Sequence, residues 1–262
     1  MVRYKLSFAG AGRVAGALCM KMHRSGMKIL QVVSATETSG KPLASRCNAD
    51  WSDVLTFHDP NDIILIAVPD HHLEEVTRKI RCHENTIVVH TAGSYGLEVF
   101  PASIKRKGVF YPLQTFTEGR NIRFTDLPFL LEASDPEAGE KLKMLTESIG
   151  GKAWFINDER RRTLHLAAVF VCNFTNHMLA AGKELTTKDG LPFNLLEPLI
   201  METISKAMED GPENSQTGPA VRNDLATIEK HLNSLSFSPE LQNIYREVTR
   251  SIIKSNKKTG ND

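Results

Sequence analysis

The residues with the clearest chemical use lie near the start of the chain, where Gly10, Gly12 and Ala15 follow the apolar run Lys5–Ala9. Gly10 permits a tight turn, Gly12 has no Cβ to obstruct a phosphate, and Ala15 lets a helix pack closely on the strand. The N–H groups at the start of that helix would face an anion. The order of strand, glycine turn and helix predicts a dinucleotide site, and an ordinary strand–helix connection is the alternative. The predicted cofactor contacts here are Gly10, Ala11, Gly12, Arg13 and Val14.

The end of the second predicted strand bears on which dinucleotide binds. NAD-binding domains of this kind carry an acidic residue there, which accepts hydrogen bonds from the ribose hydroxyls. Here the segment 32–36 holds Ser34 and Thr36 but no carboxylate, and Glu37 follows in a loop. Both hydroxyls could donate to a 2′-phosphate, and basic residues follow nearby. We therefore predict NADP in preference to NAD, with Ser34 as a contact. The alternative is that Ser34 and Thr36 only cap a turn. The basic residues in question are Arg13, Lys41 and Arg46.

Small residues follow two further buried strands. In an open parallel sheet the ligand lies beyond the carboxyl ends of the strands, so these residues would let the backbone approach the nicotinamide half of the cofactor. Taken singly, each segment is only a transition from strand to loop. The predicted contacts are Ala67, Val68, Pro69, Thr91, Ala92 and Gly93.

Hydride transfer also needs a group that handles a proton. A predicted helix from Glu159 to about Lys183 places His165 and Asn173 within an apolar stretch. At about 100° per residue, His165 and Cys172 fall on one stripe, with Asn173 some 80° away. We predict His165 and Asn173 as catalytic residues, with His90 a weaker candidate. Polar side chains of this kind also serve as hydrogen-bond partners between helices or in the core.

Composition excludes several classes of function. A formal net charge of +1 gives no indication of nucleic acid or an anionic membrane surface. The four cysteines are scattered, which favours a reducing cytoplasm over a disulfide framework. We expect no signal peptide and no membrane span. We also expect no metal site, because His71 and His72 point in different directions on a helix and lack partner carboxylates.

The elements that position these residues change in class along the chain. Strand-like and helix-like segments alternate up to Ile156, which predicts an α/β domain with a doubly wound, mostly parallel sheet over residues 1–156. Residues 157–262 show only helical periodicity, which predicts an all-α domain for substrate binding and dimerisation. The predicted strands are Lys5–Ala9, Ile29–Ser34, Asp62–Val68, Thr86–His90, Gly108–Tyr111, Pro128–Glu132 and Ala153–Ile156. The predicted helices of the first domain are Arg13–His23, Leu73–Ile80 and Glu137–Ile149.

Several of these motifs together resemble one family. The chain is similar over nearly its whole length to Rossmann-like proteins with a C-terminal DUF2520 domain, which are related to pyrroline-5-carboxylate reductase and the 6-phosphogluconate dehydrogenase superfamily. The resemblance implies an NADP-dependent oxidoreductase of unsettled substrate. Relatives often carry His at the place of Tyr111 and Gly at the place of Asn223. The motifs that carry the resemblance are 10–15, 66–69, 90–93, 112–116, 165–168, Asn173, 217–219, Arg222, Asp224 and 231–232.

Two functions fit the sequence. The first is an oxidoreductase that transfers hydride between NADP(H) and a small carbonyl, imine or hydroxy compound. The alternative is a non-catalytic protein that senses NADP through its helical domain. The segment from Leu164 to Leu179 is apolar on more than one stripe, so it must be covered on most sides. We therefore expect a two-fold symmetric homodimer in the cytoplasm.

Overall fold

The computed structural model describes residues 3–58, 60–117 and 119–259. The chain forms two compact units, one up to Val171 and one from Cys172 onward. The predicted domain boundary at residues 156 and 157 follows the last strand. In the structure the next helix still belongs to the first unit.

The first unit is built on an eight-stranded sheet in the order β3-β2-β1-β4-β5-β6-β7-β8. The first six strands in the chain run parallel, while β7 is antiparallel to β6 and parallel to β8. The order 3-2-1-4-5-6 is that of a doubly wound dinucleotide-binding sheet, whose ligands lie where the strand order reverses, between β1 and β4. The strands are β1 (Lys5–Ala9), β2 (Lys28–Val33), β3 (Asp50–Ser52), β4 (Ile63–Ile66), β5 (Ile87–His90), β6 (Lys107–Pro112), β7 (Pro128–Ala133) and β8 (Lys152–Phe155).

Helices cover both faces of this sheet because its central strands are apolar on both sides. Within β4, Ile63 and Leu65 pack in one hydrophobic cluster, while Ile64 and Ile66 pack in the other. The first cluster includes side chains of α1, α2 and α4, and the second includes Leu73 of α3. A continuous apolar run in a parallel strand produces this double burial. The helices are α1 (Arg13–Arg24), α2 (Glu37–Arg46), α3 (Asp70–Lys79) and α4 (Pro136–Ser148).

The structure confirms the predicted fold class and also contains a strand and an α-helix that were not predicted, β3 and α2. Strand β3 has only three residues, too few for an alternating pattern. Helix α2 contains Gly40 and Pro42, which both disfavour helix. It forms because Leu43 and Ala44 are buried against the sheet and Gly40 lies against Trp51.

After β8 the described residues form helices only. A single long helix runs over Asp158–Lys188, as α5 (Asp158–Ala168), a π-helical turn (Val169–Phe174) and α6 (Thr175–Lys188). The α-helical projection of residues 165–176 made from the sequence therefore does not hold, because a π-turn changes the angle between successive residues. The remaining helices are α7 (Glu197–Asp210), the short α8 (Pro212–Ser215), α9 (Leu225–Ser234) and α10 (Pro239–Thr259).

The helix Asp158–Lys188 is long and apolar enough to cross a membrane by length and composition. Its most apolar window has a mean hydropathy of 1.3 and is not buried inside the chain. Length and composition are weak evidence by themselves, because core helices of soluble proteins pass the same test. The first turns of this helix also carry several charged residues, of which Arg161 is fully buried against the sheet unit.

Candidate functional site

The turn after β1 requires glycine at position 10. Gly10 has φ +116°, and its N–H donates to the carbonyl oxygen of Val33 at 2.7 Å. A Cβ at this position would overlap the backbone of Ala67 and lie 2.7 Å from its carbonyl carbon. The glycine is therefore needed for the chain to pass the end of β4, as the motif predicts.

The helix that follows this turn begins without a cap. Gly12 is its N-cap residue, no side chain of the described residues caps it, and its first turn holds no acidic residue. A Cβ built on Gly12 would meet no described atom within 4 Å. The start of α1 therefore has open space on the side where Gly12 lacks a Cβ, and no side chain occupies its first N–H groups. An uncapped helix N-terminus beside open space suits the pyrophosphate of a dinucleotide.

The segments after β4 and β5 lie at the same edge of the sheet as this turn. Strands β1, β4 and β5 are parallel neighbours. The ladder continues beyond them, because Ala67 N–H donates to the Ala9 carbonyl at 2.8 Å and Thr91 N–H donates to that of Ile66 at 3.1 Å. The structure thus brings together three predicted groups, residues 10–14, residues 67–69 and residues 91–93.

Hydrogen bonds of the Ser34 side chain stabilise the turn that follows β2. The Ser34 hydroxyl donates to the carbonyl oxygen of Thr36 at 2.7 Å and accepts from Trp51 Nε1 at 3.0 Å. Ser34 is also buried beside Gly40. Its one hydroxyl hydrogen is therefore committed within the chain, which agrees with the alternative that Ser34 stabilises a turn. Thr36 is exposed at the N-cap of α2, and Glu37 pairs with Lys41 at 2.5 Å.

His165 lies in the first unit, against the end of β5 and β6. Its Nδ1 is 2.9 Å from the hydroxyl oxygen of Tyr111, and the two rings meet edge to face. A Cβ on Gly93 would lie 2.6 Å from His165 Nδ1 and 3.0 Å from Tyr111 Cζ. Gly93 is thus the residue that leaves room for the imidazole. His165 and Gly93 are both predicted site residues, and they are in contact in the structure.

A buried arginine attaches helix α5 to the sheet. The Arg161 side chain is fully buried and pairs with Glu132 of β7 at 2.5 Å and with Asp158 at 2.6 Å. It also donates to the carbonyl oxygen of Tyr95, in the loop after β5, at 2.6 Å. The burial of Arg161 could not be predicted from the local charge pattern, because two of its partners, Glu132 and Tyr95, are distant in the chain.

His90 is a core residue and is not exposed at the carboxyl edge of the sheet. Its Nδ1 accepts from the N–H of Ala92 at 3.2 Å, so its hydrogen lies on Nε2, which donates to the Gly96 carbonyl at 3.3 Å. The ring stacks on Phe100 and is fully buried. Burial lowers the pKa of His90 to about 4, which keeps the imidazole neutral. His90 therefore shapes the loop that carries Gly93.

The other predicted catalytic residue, Asn173, lies in the π-turn of the second compact unit. Its part in chemistry stays a prediction. Among the residues that the structure describes, no three His, Cys, Asp or Glu side chains are placed to hold a metal ion.

Two family models match the chain. A Rossmann-like domain matches residues 1–115, and a domain of unknown function, DUF2520, matches residues 127–252. No curated protein sequence matches significantly.

Solved structures agree with these models. A putative NADP oxidoreductase from Bacteroides fragilis is 37% identical, with a TM-score of 0.87 over 96% of this chain and 98% of that one. An imine reductase from Myxococcus stipitatus, in complex with NADP⁺, is 19% identical, with a TM-score of 0.62 over 98% of this chain and 94% of that one. A 1-pyrroline-5-carboxylate reductase from Streptococcus pyogenes is 14% identical, with a TM-score of 0.59 over 96% and 99%. The last two share the fold. With the two domain models and a 37% identical relative that is covered over 98% of its length, the chain belongs to the family of Rossmann-like proteins with a C-terminal DUF2520 domain.

Proposed function

We propose that this protein is an NADP-dependent oxidoreductase that transfers hydride between NADP(H) and a small carbonyl, imine or hydroxy compound. One observation carries the proposal: an uncapped helix after a glycine turn and a hydrogen-bonded Tyr111–His165 pair lie at the same edge of one parallel sheet. The helix N-terminus would bind the cofactor, and the Tyr111–His165 pair would transfer a proton. The related structures named above support this class of reaction.

The residues at this edge fit a nicotinamide dinucleotide. The backbone of residues 10–14 would hold the pyrophosphate, and residues 67–69 and 91–93 would line the nicotinamide half. The cofactor supplies the hydride when bound. The chain itself would orient the ring, because the residues here are mostly small, and Ala67, Ala92 and Gly93 are buried and keep water from that side.

NADP is favoured over NAD by the end of β2. Thr36 is exposed there and carries no charge, while the Glu37 carboxylate already pairs with Lys41. Exposed Arg13 adds positive charge at the start of α1. A 2′-phosphate would be attracted to this region more than it would be repelled.

His165 and Asn173 are the proposed substrate-facing residues of the long helix. The contact of His165 with Tyr111 at Gly93 supports its part. The part of Asn173 rests on its residue type and its place in the sequence. Polar groups at the cofactor edge favour an enzyme over the alternative, a non-catalytic sensor of NADP.

We further propose a soluble, cytoplasmic homodimer that forms through the helical region. Large apolar side chains of this region are exposed in the single chain, which is unfavourable unless a partner covers them. A second copy is the partner that needs no other component. The exposed side chains include Leu195, Leu199, Met201, Met208, Phe170 and Val171.

The proposal is tested in two steps. Fluorescence titration at fixed salt should give tighter binding of NADPH than of NADH. A screen of small ketones, aldehydes and imines should then find compounds that consume NADPH, measured as loss of its absorbance. Tighter binding of NADH would contradict the cofactor assignment. Binding of NADPH without turnover of any compound would favour the sensor.

A further inference from the structure

Tyr111 lies at the edge of the sheet where the cofactor and the substrate would meet. It is the penultimate residue of β6, so it lies at the carboxyl edge that also holds residues 10–14 and Gly93. The phenol is partly buried, and its hydroxyl is 2.9 Å from His165 Nδ1. Tyr111 is thus a partly exposed residue at the carboxyl edge of the sheet whose hydroxyl is bonded to an imidazole.

The surrounding chain holds this pair in a fixed geometry. Gly93 packs against both rings, since a Cβ there would approach each within 3.0 Å. Arg161, one helical turn before His165, anchors α5 to Glu132 and to the Tyr95 carbonyl. Arg161 is therefore a positioning residue for His165.

The local electrostatics keep the phenol protonated. Burial raises the pKa of Tyr111 above its usual value, and the carboxylate of Asp70 raises it further. Asp70, at the start of α3, accepts a hydrogen bond from Ser94 at 2.6 Å. The fully buried cation Arg161 is already paired with two carboxylates.

We propose that Tyr111 is the proton donor of the reduction and that His165 replaces its proton, an inference that rests on the proposed function. As the carbon of a C=O or neutral C=N group accepts hydride, the electron pair of that double bond moves to the oxygen or nitrogen. This atom forms a bond to the phenolic hydrogen, and the O–H bond of Tyr111 breaks. The resulting tyrosinate takes the Nδ1 hydrogen of a protonated His165, which becomes neutral and regains a proton from water. Oxidation of a hydroxy compound follows the same steps in reverse.

The test compares NADPH-dependent reduction of cyclopentanone and 1-pyrroline by four proteins. Tyr111→Phe removes only the hydroxyl, Tyr111→His supplies another proton donor, and Tyr4→Phe is the control. Tyr4 precedes β1 at the opposite edge of the sheet, and its buried hydroxyl has no partner among the described residues. We expect Tyr111→Phe to lower kcat by about 100-fold or more, with the NADPH Kd within about twofold. Tyr111→His should recover part of kcat, and Tyr4→Phe should match the unmodified protein.

Three results would overturn the proposal. The first is a kcat for Tyr111→Phe within about threefold of the unmodified protein, and the second is a parallel loss of NADPH affinity. A protein that binds NADPH but reduces neither probe nor any other compound of the screen contradicts the proposed function, and the pair is then tested without substrate. The Tyr111 phenol is titrated by its ultraviolet absorbance, with Tyr111→Phe as the blank. A shift of its pKa in His165→Phe supports the pair, and an unchanged titration is the third overturning result.

Discussion

At the scale of a single residue, His90 links stability to pH. Its pKa is about 4 in the folded chain, because burial disfavours the charged imidazole, and its ordinary value in an unfolded chain is about 6.5. Protonation therefore favours the unfolded state. The stabilising contribution of neutral His90 is fully present above about pH 6.5 and is lost as the pH falls towards 4. Linkage gives a loss of about 3 kcal/mol over this range.

Urea denaturation at several pH values would measure this loss. His90→Phe keeps an aromatic ring against Phe100 but cannot titrate, and the other eight histidines are common to both proteins. We expect the variant to be less stable at pH 7, since two hydrogen bonds are lost. Its free energy of unfolding should fall less steeply between pH 6.5 and 4. Parallel curves for the two proteins would show that His90 is not the group responsible.

Thr36 allows the cofactor preference to be tested with one charge. Both Thr36→Asp and Thr36→Asn preserve a good N-cap for α2, so neither should unfold the protein. Only the aspartate places a carboxylate where a 2′-phosphate would bind. We expect Thr36→Asp to weaken NADPH binding roughly tenfold and to leave NADH binding nearly unchanged. Thr36→Asn should change neither affinity, and an equal loss in both variants would contradict a 2′-phosphate site here.

At the scale of an element, the two glycines of the turn before α1 have separable roles. Gly10→Ala would place a Cβ into the backbone of Ala67 at a positive φ, which should cost about 3 kcal/mol or more of stability. Gly12 has ordinary angles and open space, so Gly12→Ala should cost less than about 1 kcal/mol.

Cofactor binding should respond in the opposite order. The added methyl group of Gly12→Ala would occupy the space of the pyrophosphate, so NADPH affinity should fall about tenfold or more in a fully folded protein. Thermal unfolding and fluorescence titration of both variants check this pattern. Unchanged NADPH affinity in Gly12→Ala would place the pyrophosphate elsewhere.

The attachment of α5 depends on one buried cation. Arg161→Met would leave Glu132 and Asp158 without their buried partner, which should cost about 3–5 kcal/mol. Arg162 is a matched control because it also pairs with Asp158, at 2.7 Å, but is half exposed. Arg162→Met should change stability by less than about 1 kcal/mol. Similar losses for the two variants, measured by urea denaturation, would contradict a special role for the buried guanidinium.

The elements that were predicted from sequence are those whose local sequence pattern agrees with their packing in the folded chain. β1 was predicted at its exact bounds, and six other strands within a few residues. The central strands are the clearest, because buried parallel strands appear in the sequence as apolar runs. α2 was not predicted, since its formation depends on packing that overrides the low helix propensity of Gly40 and Pro42. The π-turn after α5 leaves no simple pattern in the sequence.

The candidate site was predictable in part for the same reason. The glycine turn is a local motif, so it could be found without a structure. The contact of Tyr111 with His165 and the burial of Arg161 join residues more than 25 positions apart. Only the strand order brings such residues together. Ser34 was predicted to donate to a 2′-phosphate, whereas its hydroxyl donates to the Thr36 carbonyl. Trp51, its other hydrogen-bond partner, lies on a strand that was not predicted.

At the scale of the whole molecule, the exposed apolar residues of the helical region predict self-association. Light scattering at micromolar concentration, without detergent, should give the mass of two chains. Leu199→Lys and Met208→Lys introduce charge at positions that are 63% and 79% exposed in the single chain. Together they should shift the protein to a monomer while preserving its helical content. A monomeric unmodified protein, or one that requires detergent, would contradict the homodimer.

The buried Arg161 also determines which fragments of the chain can fold by themselves. A fragment that ends at Ile156, after the last strand, would lack Asp158 and Arg161 and would leave Glu132 without its cation. A fragment that extends to Val171 keeps the whole ion network and the first compact unit. We therefore expect the longer fragment to express as a folded, protease-resistant species and the shorter one to be degraded. Although the strands end at residue 155, the smallest autonomous piece of this sheet includes part of the helix that follows it.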